Sequence, residues 1–262
     1  MKKYKNRNWL DQKYWQEELS MPQISKLCSC GKTTIYDWLK RFNIPTRSRS
    51  EYVHLAKTNH CNLTEGARQW IDGELLGDGC LTSYSKWSAS FSYTSKYLKY
   101  INYISDTLNS FGIKQSGRIY KRYYKEFDCY AYNYCSLCYV ELLPIRKRWY
   151  PDKKKIIPRD LKLTPLTLRQ EHIGDGCLKH PKDSSPYIQL YTNGFPINDV
   201  EWLIGQLNKL GFKSTRKLYD NSVYISTKST KQFLDYIGDC PVECYSYKWN
   251  INKKIREQLC HN

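Results

Sequence analysis

Long hydrophobic runs and sorting signals are missing from this sequence. No apolar stretch approaches the roughly 20 residues that a membrane-spanning helix requires. The N-terminal segment MKKYKNRNWLDQKYW is basic, but the apolar region of a secretory signal does not follow it. These absences argue against a helical membrane protein, and they predict an intracellular, cytoplasmic location.

Acidic residues are also scarce. The 262-residue chain has 25 Asp and Glu against 42 Lys and Arg, which gives a formal net charge of +17 at pH 7. Aromatic residues are plentiful, with 24 Tyr and 8 Trp. Because cations neutralise phosphates and rings pack on sugars and bases, this composition favours a nucleic-acid partner. A protein that merely has a basic surface is the alternative that composition leaves open.

The 11 cysteines do not form a zinc-binding pattern. Only Cys135 and Cys138 have the CxxC spacing, and no second pair of Cys or His is placed to complete a site. Their odd number and their mostly apolar or aromatic surroundings are typical of reduced thiols in an intracellular protein.

Residues 1–48 predict a small all-α domain. Apolar residues recur at helical spacing on either side of a turn at residues 29–31. They are Ile24, Leu27 and Cys28 before the turn, and Ile35, Trp38 and Leu39 after it. The pattern resembles the helix-turn-helix family, with Ser29 in place of the usual turn glycine.

That resemblance implies DNA binding by the second helix. Its outward-facing side chains are Lys32, Thr33, Thr34 and Tyr36. A helical hairpin that serves only for packing is the alternative. Residues 49–63 are polar and basic, and we expect a linker with one short helix near residues 52–56.

The remainder of the chain contains an internal duplication. GDGCL occurs at residues 77–81 and again at 174–178, each time after a predicted helix that begins at a Thr. Gly79 and Gly176 suit left-handed helix caps. The closing helices are expected near 137–147 and 229–238. The fold class is therefore α+β, with two pseudo-symmetric αββαββα repeats at 64–158 and 159–262.

The repeated Asp-Gly step predicts a site where the repeats meet, although Asp-Gly is also an ordinary turn signal. Gly73 and Gly77 lie four residues apart, which allows another backbone to come close. Side-by-side packing of the two helices brings Asp78 and Asp175 together, beside the carbonyls of Gly77 and Gly174. Carboxylates at the negative ends of helices repel one another, and oxygen ligands of this kind suit Mg²⁺. Such ions support hydrolysis of phosphodiesters.

Residues 71–79 and 168–176 resemble the two motifs of a single-chain LAGLIDADG homing endonuclease. The second copy has Gln170 where that family prefers a small residue. The resemblance covers about residues 64–255. It implies saddle-shaped sheets that lie in the major groove of double-stranded DNA, two or three Mg²⁺ ions with Mn²⁺ or Ca²⁺ as substitutes, and a basic residue near the metals in each repeat. By position these catalytic residues are Lys155 and Lys248.

Strand periodicity predicts which side chains face the DNA, because successive residues point to opposite faces. A one-residue shift would reverse the assignment. The outward set comprises Ser88, Ser90, Ser92, Thr94, Arg118, Tyr120, Arg122, Tyr187, Gln189, Tyr191, Tyr224 and Ser226.

The resemblance implies a monomer that makes a double-strand break at a long DNA site and so promotes mobility of an intron or intein. Two alternatives remain on the same fold. One is an RNA-splicing maturase, and the other is a regulator that binds DNA without cutting it. The presence of both acids favours cleavage.

Overall fold

In the computed structural model, the described residues are 2–49, 51, 59–181 and 185–252. The chain divides into two compact units, Met1–Asn59 and His60–Asn262. The short helix predicted near residues 52–56 lies outside the described residues. Over the described ranges, none of the helices has the length and apolar character needed to cross a membrane.

The N-terminal unit is helical. Its elements are a 3-10 turn at Lys3–Lys5, α1 at Arg7–Asp11, a π turn at Gln12–Gln16, α2 at Met21–Leu27 and α3 at Lys32–Arg41. A capping box of Ser20 and Gln23 begins α2. Ser29 has φ of 48°, so a serine adopts the left-handed turn conformation that usually favours glycine.

Most of the residues predicted for the core of this unit are buried. Ile24, Ile35 and Leu39 are fully buried, and Trp38 is half-buried. The inward placement of Leu27 was wrong, because 61% of this residue is exposed. Leu27 is the last residue of α2, and Cys28 packs against the core after it.

The second unit contains the two predicted repeats. The first comprises α4 (Glu65–Leu76), β1 (Cys80–Thr82), β2 (Ser90–Ser95), α5 (Leu98–Ser110), β3 (Tyr120–Tyr124), β4 (Cys129–Cys135) and α6 (Leu142–Trp149). The second comprises α7 (Pro165–Gly174), β5 (Gly176–Lys179), β6 (Tyr187–Leu190), α8 (Ile197–Lys209), β7 (Ser214–Lys217), β8 (Ser222–Ile225) and α9 (Thr227–Ile237). The α+β class and the repeated element order are confirmed.

Each repeat builds one four-stranded antiparallel sheet. The strand orders are β1-β2-β4-β3 and β5-β6-β8-β7, so the two sheets have the same topology. Helices α5 and α8 bury residues at the same spacing. These are Tyr100, Ile101, Ile104 and Leu108 in α5, and Asp199, Val200, Leu203 and Leu207 in α8. The matching spacing shows that the duplication extends from the motifs to the packed helix face.

The helices α4 and α7 begin as predicted. The hydroxyl oxygens of Thr64 and Thr164 each accept a hydrogen bond of 3.2 Å, from the backbone nitrogens of Ala67 and Thr167. These bonds satisfy amides that have no partner within the helix. Pro165 occupies the first turn of α7.

Two predictions about helix ends were wrong. Gly79 and Gly176 do not have positive φ. Each turn instead folds back on its own helix: a Cβ on Gly79 would lie 2.6 Å from the oxygen of Glu74, and one on Gly176 would lie 2.5 Å from the oxygen of His172. The helix expected near 137–147 begins only at Leu142, because the chain up to residue 139 still pairs with residues 89–91.

Helices α4 and α7 pack against each other between the two repeats of the second unit, and they are in contact through their backbones. A Cβ on Gly73 would lie 2.5 Å from the oxygen of Thr167 and 2.8 Å from Cβ of Gln170. A Cβ on Gly77 would lie 3.4 Å from Cα of Gly174. The helices therefore approach closely even at Gln170, where the family prefers a smaller residue.

Candidate active site

The two acids lie on adjoining turns. Helix α4 ends at Leu76 and α7 ends at Gly174, so Asp175 follows its helix directly and Asp78 lies one residue beyond the Gly77 cap of α4. A Cβ on Gly174 would lie 3.0 Å from the nitrogen of Asp78. The structure thus places both acid-bearing turns at the point where the two repeats meet.

The two acids have different surroundings. Asp78 is exposed, whereas Asp175 is half-buried. Burial, together with the negative charge of Asp78, raises the pKa of Asp175 to about 7. The ammonium groups of Lys155 and Lys248 oppose this shift in pKa. The carboxylates therefore repel one another, and a divalent cation would relieve that repulsion.

Both predicted lysines reach the ends of the motif helices. The Nζ atom of Lys155 donates to the carbonyl oxygens of Gly77 and Gly79, at 2.8 and 3.1 Å. Lys248 lies beneath the end of α7, where its Nζ donates to three carbonyls. They belong to His172, Ile173 and Gly174, at 3.3, 2.5 and 2.9 Å.

These contacts exclude a role as freely solvated surface lysines. Only 7% of Lys248 is exposed, and Lys155 is half-buried. Burial lowers the pKa of both ammonium groups, while the nearby carboxylates of Asp78 and Asp175 raise it. A cation at a helix C-terminus is also favoured by the negative end of the helix dipole. Each lysine is therefore held close to one acid-bearing turn.

The oxygen atoms at this junction suit a hard divalent cation. Within the described part of the chain, no cluster of three or more His, Cys, Asp or Glu forms a ready-made metal cage. Mg²⁺ does not need one, because it commonly binds one or two carboxylates and takes its other ligands from water and phosphate. The carbonyls of Gly77 and Gly174 already accept a lysine hydrogen bond, but each oxygen keeps a second lone pair. The donor set fits Mg²⁺.

Buried glutamates in the motif helices were not predicted to be functional. Glu74 accepts two hydrogen bonds of 2.7 Å at one oxygen, from the hydroxyl of Tyr100 and the amide of Gln170. Burial raises the pKa of Glu74 to about 8. Glu171 is fully buried, and neither carboxyl oxygen has a hydrogen-bond partner among the described residues.

Tyr93 is a residue of the site that the sequence did not reveal. Its ring packs against Tyr100 of α5, and only 2% of Tyr93 is exposed. Its hydroxyl donates to Oδ2 of Asp78 over 3.4 Å. A tyrosine two residues after the buried Phe91, on the same face of the strand, was the sequence feature that could have indicated a polar contact at this position.

Strand register defines the predicted DNA-facing surface of the first sheet, because paired residues share a face. Thr94 pairs with Asn133, which pairs with Tyr120, and Arg122 lies two residues farther along on that face. Ser92 shares it as well. Ser88 and Arg118 lie before their strands, half-buried and exposed respectively. Lys96, Tyr124 and Asn133 were not among the residues predicted to face the DNA.

Ser90 departs from the expected exposure. It lies on the predicted face, but only 3% of it is exposed. Its hydroxyl is 3.1 Å from that of Thr82 on the neighbouring strand, and the two cover each other at this edge of the sheet.

The second sheet presents an aromatic and cationic face. Tyr187 and Tyr224 are half-buried with ring centroids 4.8 Å apart, and Nζ of Lys217 lies 4.6 Å from the centroid of Tyr187. Tyr191 follows β6 and is exposed. Lys217, the last residue of β7, was not among the residues predicted to face the DNA.

Two outward assignments in this sheet need correction. Gln189 shares the face of Tyr224, but its amide is buried where it donates to Asp220 (3.0 Å) and Ser222 (2.8 Å). Ser226 lies after β8, at the N-cap of α9, and its hydroxyl is buried. The strand ends at Ile225, so strand alternation does not apply to Ser226.

The predicted recognition helix α3 presents its polar side chains outward. Lys32, Thr33 and Tyr36 are exposed, and Thr34 is half-buried. Arg47 lies beside them on the same concave surface, with its guanidinium 4.1 Å from the ring centroid of Tyr14. Arg47 was not among the residues predicted to bind DNA.

The sequence is similar to that of known proteins. The model of the LAGLIDADG DNA endonuclease family matches residues 68–233. The chain is 30% identical over 208 residues to the uncharacterized protein MJ1098 of Methanocaldococcus jannaschii, covering 76% of each chain.

Solved structures of homing endonucleases are similar to this chain. The homing endonuclease I-WcaI, bound to its DNA recognition sequence, superposes with a TM-score of 0.65 and 19% identity, over 81% of this chain and 97% of that one. I-DmoI in complex with DNA and Mn has a TM-score of 0.45 and 15% identity, over 68% of this chain and 97% of that one.

Proposed function

Because the chain belongs to the LAGLIDADG DNA endonuclease family, we propose that it is a site-specific DNA endonuclease that makes double-strand breaks. The observation that carries this proposal is the meeting of Asp78 and Asp175 on adjoining turns, at the ends of two helices in backbone contact. Each acid-bearing turn has one buried or half-buried lysine bonded to its backbone carbonyls. The arrangement supplies one acid and one cation for each DNA strand.

Mg²⁺ is the cofactor that this oxygen-rich junction suits. Asp78 and Asp175 would hold it, together with the carbonyls of Gly77 and Gly174, and Mn²⁺ or Ca²⁺ would substitute. Bound ions supply Lewis acidity to the phosphodiester and lower the pKa of water. The protein contributes fixed oxygen ligands whose mutual repulsion, seen in the raised pKa of Asp175, favours cation binding.

We infer catalytic roles for Lys155 and Lys248. Cleavage places additional negative charge on the scissile phosphate and on the leaving oxygen. A fixed cation nearby is bound more strongly by the transition state than by the ground state, so it accelerates the reaction. The helix-end carbonyls anchor both ammonium groups, which restricts their motion before DNA binds.

DNA recognition would use both compact units. The face of the first sheet that carries Thr94, Tyr120 and Arg122 and the face of the second that carries Tyr187 and Tyr224 suit long contact with a duplex. The helix-turn-helix would extend the footprint through Lys32 and its neighbours on α3. Since one chain contains both acids, a monomer would suffice. The biological role that we propose is mobility of an intron or intein.

The test is cleavage of a DNA library in Mg²⁺, followed by sequencing of the broken ends. The wild-type protein is expected to cut one long, nearly unique site. Asp78→Asn and Asp175→Asn should each abolish cleavage and keep or increase DNA affinity, because a negative charge near phosphate is removed. Asp106→Asn is the matched control, since Asp106 is exposed on α5.

Three outcomes would contradict the proposal in different ways. Full cleavage by either mutant at the acid positions would remove the metal-site assignment. Specific binding without breaks by the wild-type protein would identify a DNA-binding regulator. Intron-specific RNA binding that promotes splicing, without DNA cleavage, would identify a maturase.

A further inference from the structure

The pseudo-twofold symmetry of the site is broken directly beside the acids. Cys80 and Cys177 each lie two residues after an acid, and they pair with Ser92 and Gln189 on the neighbouring strands. The next residue along each neighbouring strand is therefore equivalent in the two repeats. It is Tyr93 in the first repeat and Leu190 in the second.

Tyr93 is fixed where it can hold Asp78. Its hydroxyl lies 3.4 Å from Oδ2 of Asp78, and its ring packs edge-on against Tyr100 with centroids 5.3 Å apart. Tyr100 is itself held by a hydrogen bond of 2.7 Å to Glu74. The phenol therefore has little freedom to leave Asp78, which is the more exposed of the two acids.

The second repeat has no counterpart of this hydrogen bond. Leu190 is fully buried and cannot donate. Across the residues for which contacts are described, none forms a side-chain hydrogen bond to the carboxylate of Asp175. The Asp78 carboxylate therefore has an oriented donor, whereas Asp175 is constrained only by its half-buried surroundings.

We propose that Tyr93 is a positioning residue for Asp78, and that it makes the two halves of the site unequal, so that the two DNA strands are cut at different rates. This inference rests on the proposed endonuclease function. A hydrogen bond from a fixed donor limits rotation of the carboxylate and so fixes the direction of the oxygen atoms that would bind a metal. The strand served by Asp78 is then cut first, and a nicked duplex precedes the double-strand break.

Tyr93→Phe tests the proposal, because it removes the hydroxyl and keeps the buried ring. The two strands of the cognate duplex carry different end labels, and both cleavage rates are measured in single turnovers with Mg²⁺. One strand should be cut about tenfold more slowly, equivalent to ~1.4 kcal/mol, while the other keeps the wild-type rate. Tyr134→Phe is the matched control, since this buried tyrosine lies on the same sheet and its hydroxyl has no hydrogen-bond partner among the described residues.

The ratio of the two rates separates positioning from a structural role. Equal slowing of both strands by Tyr93→Phe would identify a general loss of structure and overturn the proposal. Wild-type cleavage rates on both strands in Tyr93→Phe would overturn the proposal as well. Thermal unfolding of both variants checks that the fold is retained.

Ca²⁺ titration of the protein–DNA complex gives a readout that does not need cleavage. The duplex is the site recovered by selecting a library for binding, and heat is measured by calorimetry. Wild-type protein should show unequal Ca²⁺ affinities, and Tyr93→Phe should weaken one of them about tenfold. Identical titrations of the two proteins would overturn the inference. If the wild-type protein cuts neither strand, the endonuclease proposal fails, and the titration still decides the role of Tyr93.

Discussion

Replacement of Gly73 by alanine tests the backbone contact between α4 and α7 most directly. The new Cβ would lie 2.5 Å from the carbonyl oxygen of Thr167 and 3.0 Å from its Cα. Both are backbone atoms of the opposite helix, so no side-chain rotation can relieve the overlap. The helices must move apart, and the acid-bearing turns at their ends would move with them.

The size of the effect follows from two opposing contributions. Overpacking of a tight contact costs typically 1–3 kcal/mol, and a backbone clash belongs near the upper end of ~3 kcal/mol. Alanine also favours a helix over glycine by roughly 0.5–1 kcal/mol. The net destabilisation of Gly73→Ala should therefore be about 2 kcal/mol.

Gly205→Ala is the matched control. Gly205 lies inside α8, and a Cβ there would meet no atom within 4 Å. Only the helix preference applies, so this variant should be more stable by roughly 0.5–1 kcal/mol. The two variants make the same chemical change, and only the packing of the new methyl group differs.

Hydrogen exchange of the full-length chain is the appropriate assay, because it resolves α4 and α7 from the N-terminal unit. A loss of about 2 kcal/mol corresponds to roughly 30-fold faster exchange of amides that open with the second unit. Wild-type protection of α4 and α7 in Gly73→Ala would refute the close packing of these helices. A destabilised Gly205→Ala would refute the assumption that its surroundings are open.

Three further outcomes follow from the described contacts. Glu171→Leu should raise the free energy of unfolding by about 1–3 kcal/mol, because an apolar side chain replaces a fully buried carboxyl group that has no hydrogen-bond partner within the described part of the chain; a lower melting temperature would contradict this. Lys155→Met and Lys248→Met should each slow one strand by roughly 10²-fold, as does loss of one preorganised donor, and the two variants should accumulate nicks in opposite strands; wild-type rates on both strands would make the lysines structural. Deletion of residues 1–48 should weaken DNA binding by at least ~10-fold and shorten the protected footprint at one end while leaving a residual cutter; an unchanged footprint would assign the segment a structural role alone.

The repeated fold could be predicted because its signals are local. Thr64 and Thr164 mark helix starts, and buried residues in α5 and α8 recur at one spacing. Both acids could be proposed for the same reason, since Asp78 and Asp175 end equivalent helices. Such signals depend on residues close in sequence, where backbone preferences decide the structure.

Features that depend on distant neighbours could not be predicted. Periodicity places Ser90 and Gln189 on the correct faces, but it does not indicate that Thr82, Asp220 and Ser222 cover them. The hydrogen bond from Tyr93 to Asp78 is set by how a strand and a helix end meet.

Two predictions were wrong because the local sequence pattern did not match the structure at that position. Gly79 matches the sequence pattern of a left-handed helix cap, yet it is needed because the turn folds back onto Glu74. The end of β8 at Ile225 takes Ser226 out of the strand alternation that predicted its orientation. In both cases the residue type is compatible with the predicted local structure, but the surrounding structure places the residue differently.

The anchoring of Lys248 has a consequence for the protein during its synthesis. Asp78 leaves the ribosome early, whereas Lys248, which fastens the end of α7, emerges only after both sheets have been made. A nascent chain, or one shortened by a premature stop codon before this lysine, would carry both acids but lack the cation beside the second. Under the proposed endonuclease function, the late synthesis of Lys248 would protect the host genome, because no fragment that ends before Lys248 holds the whole proposed site.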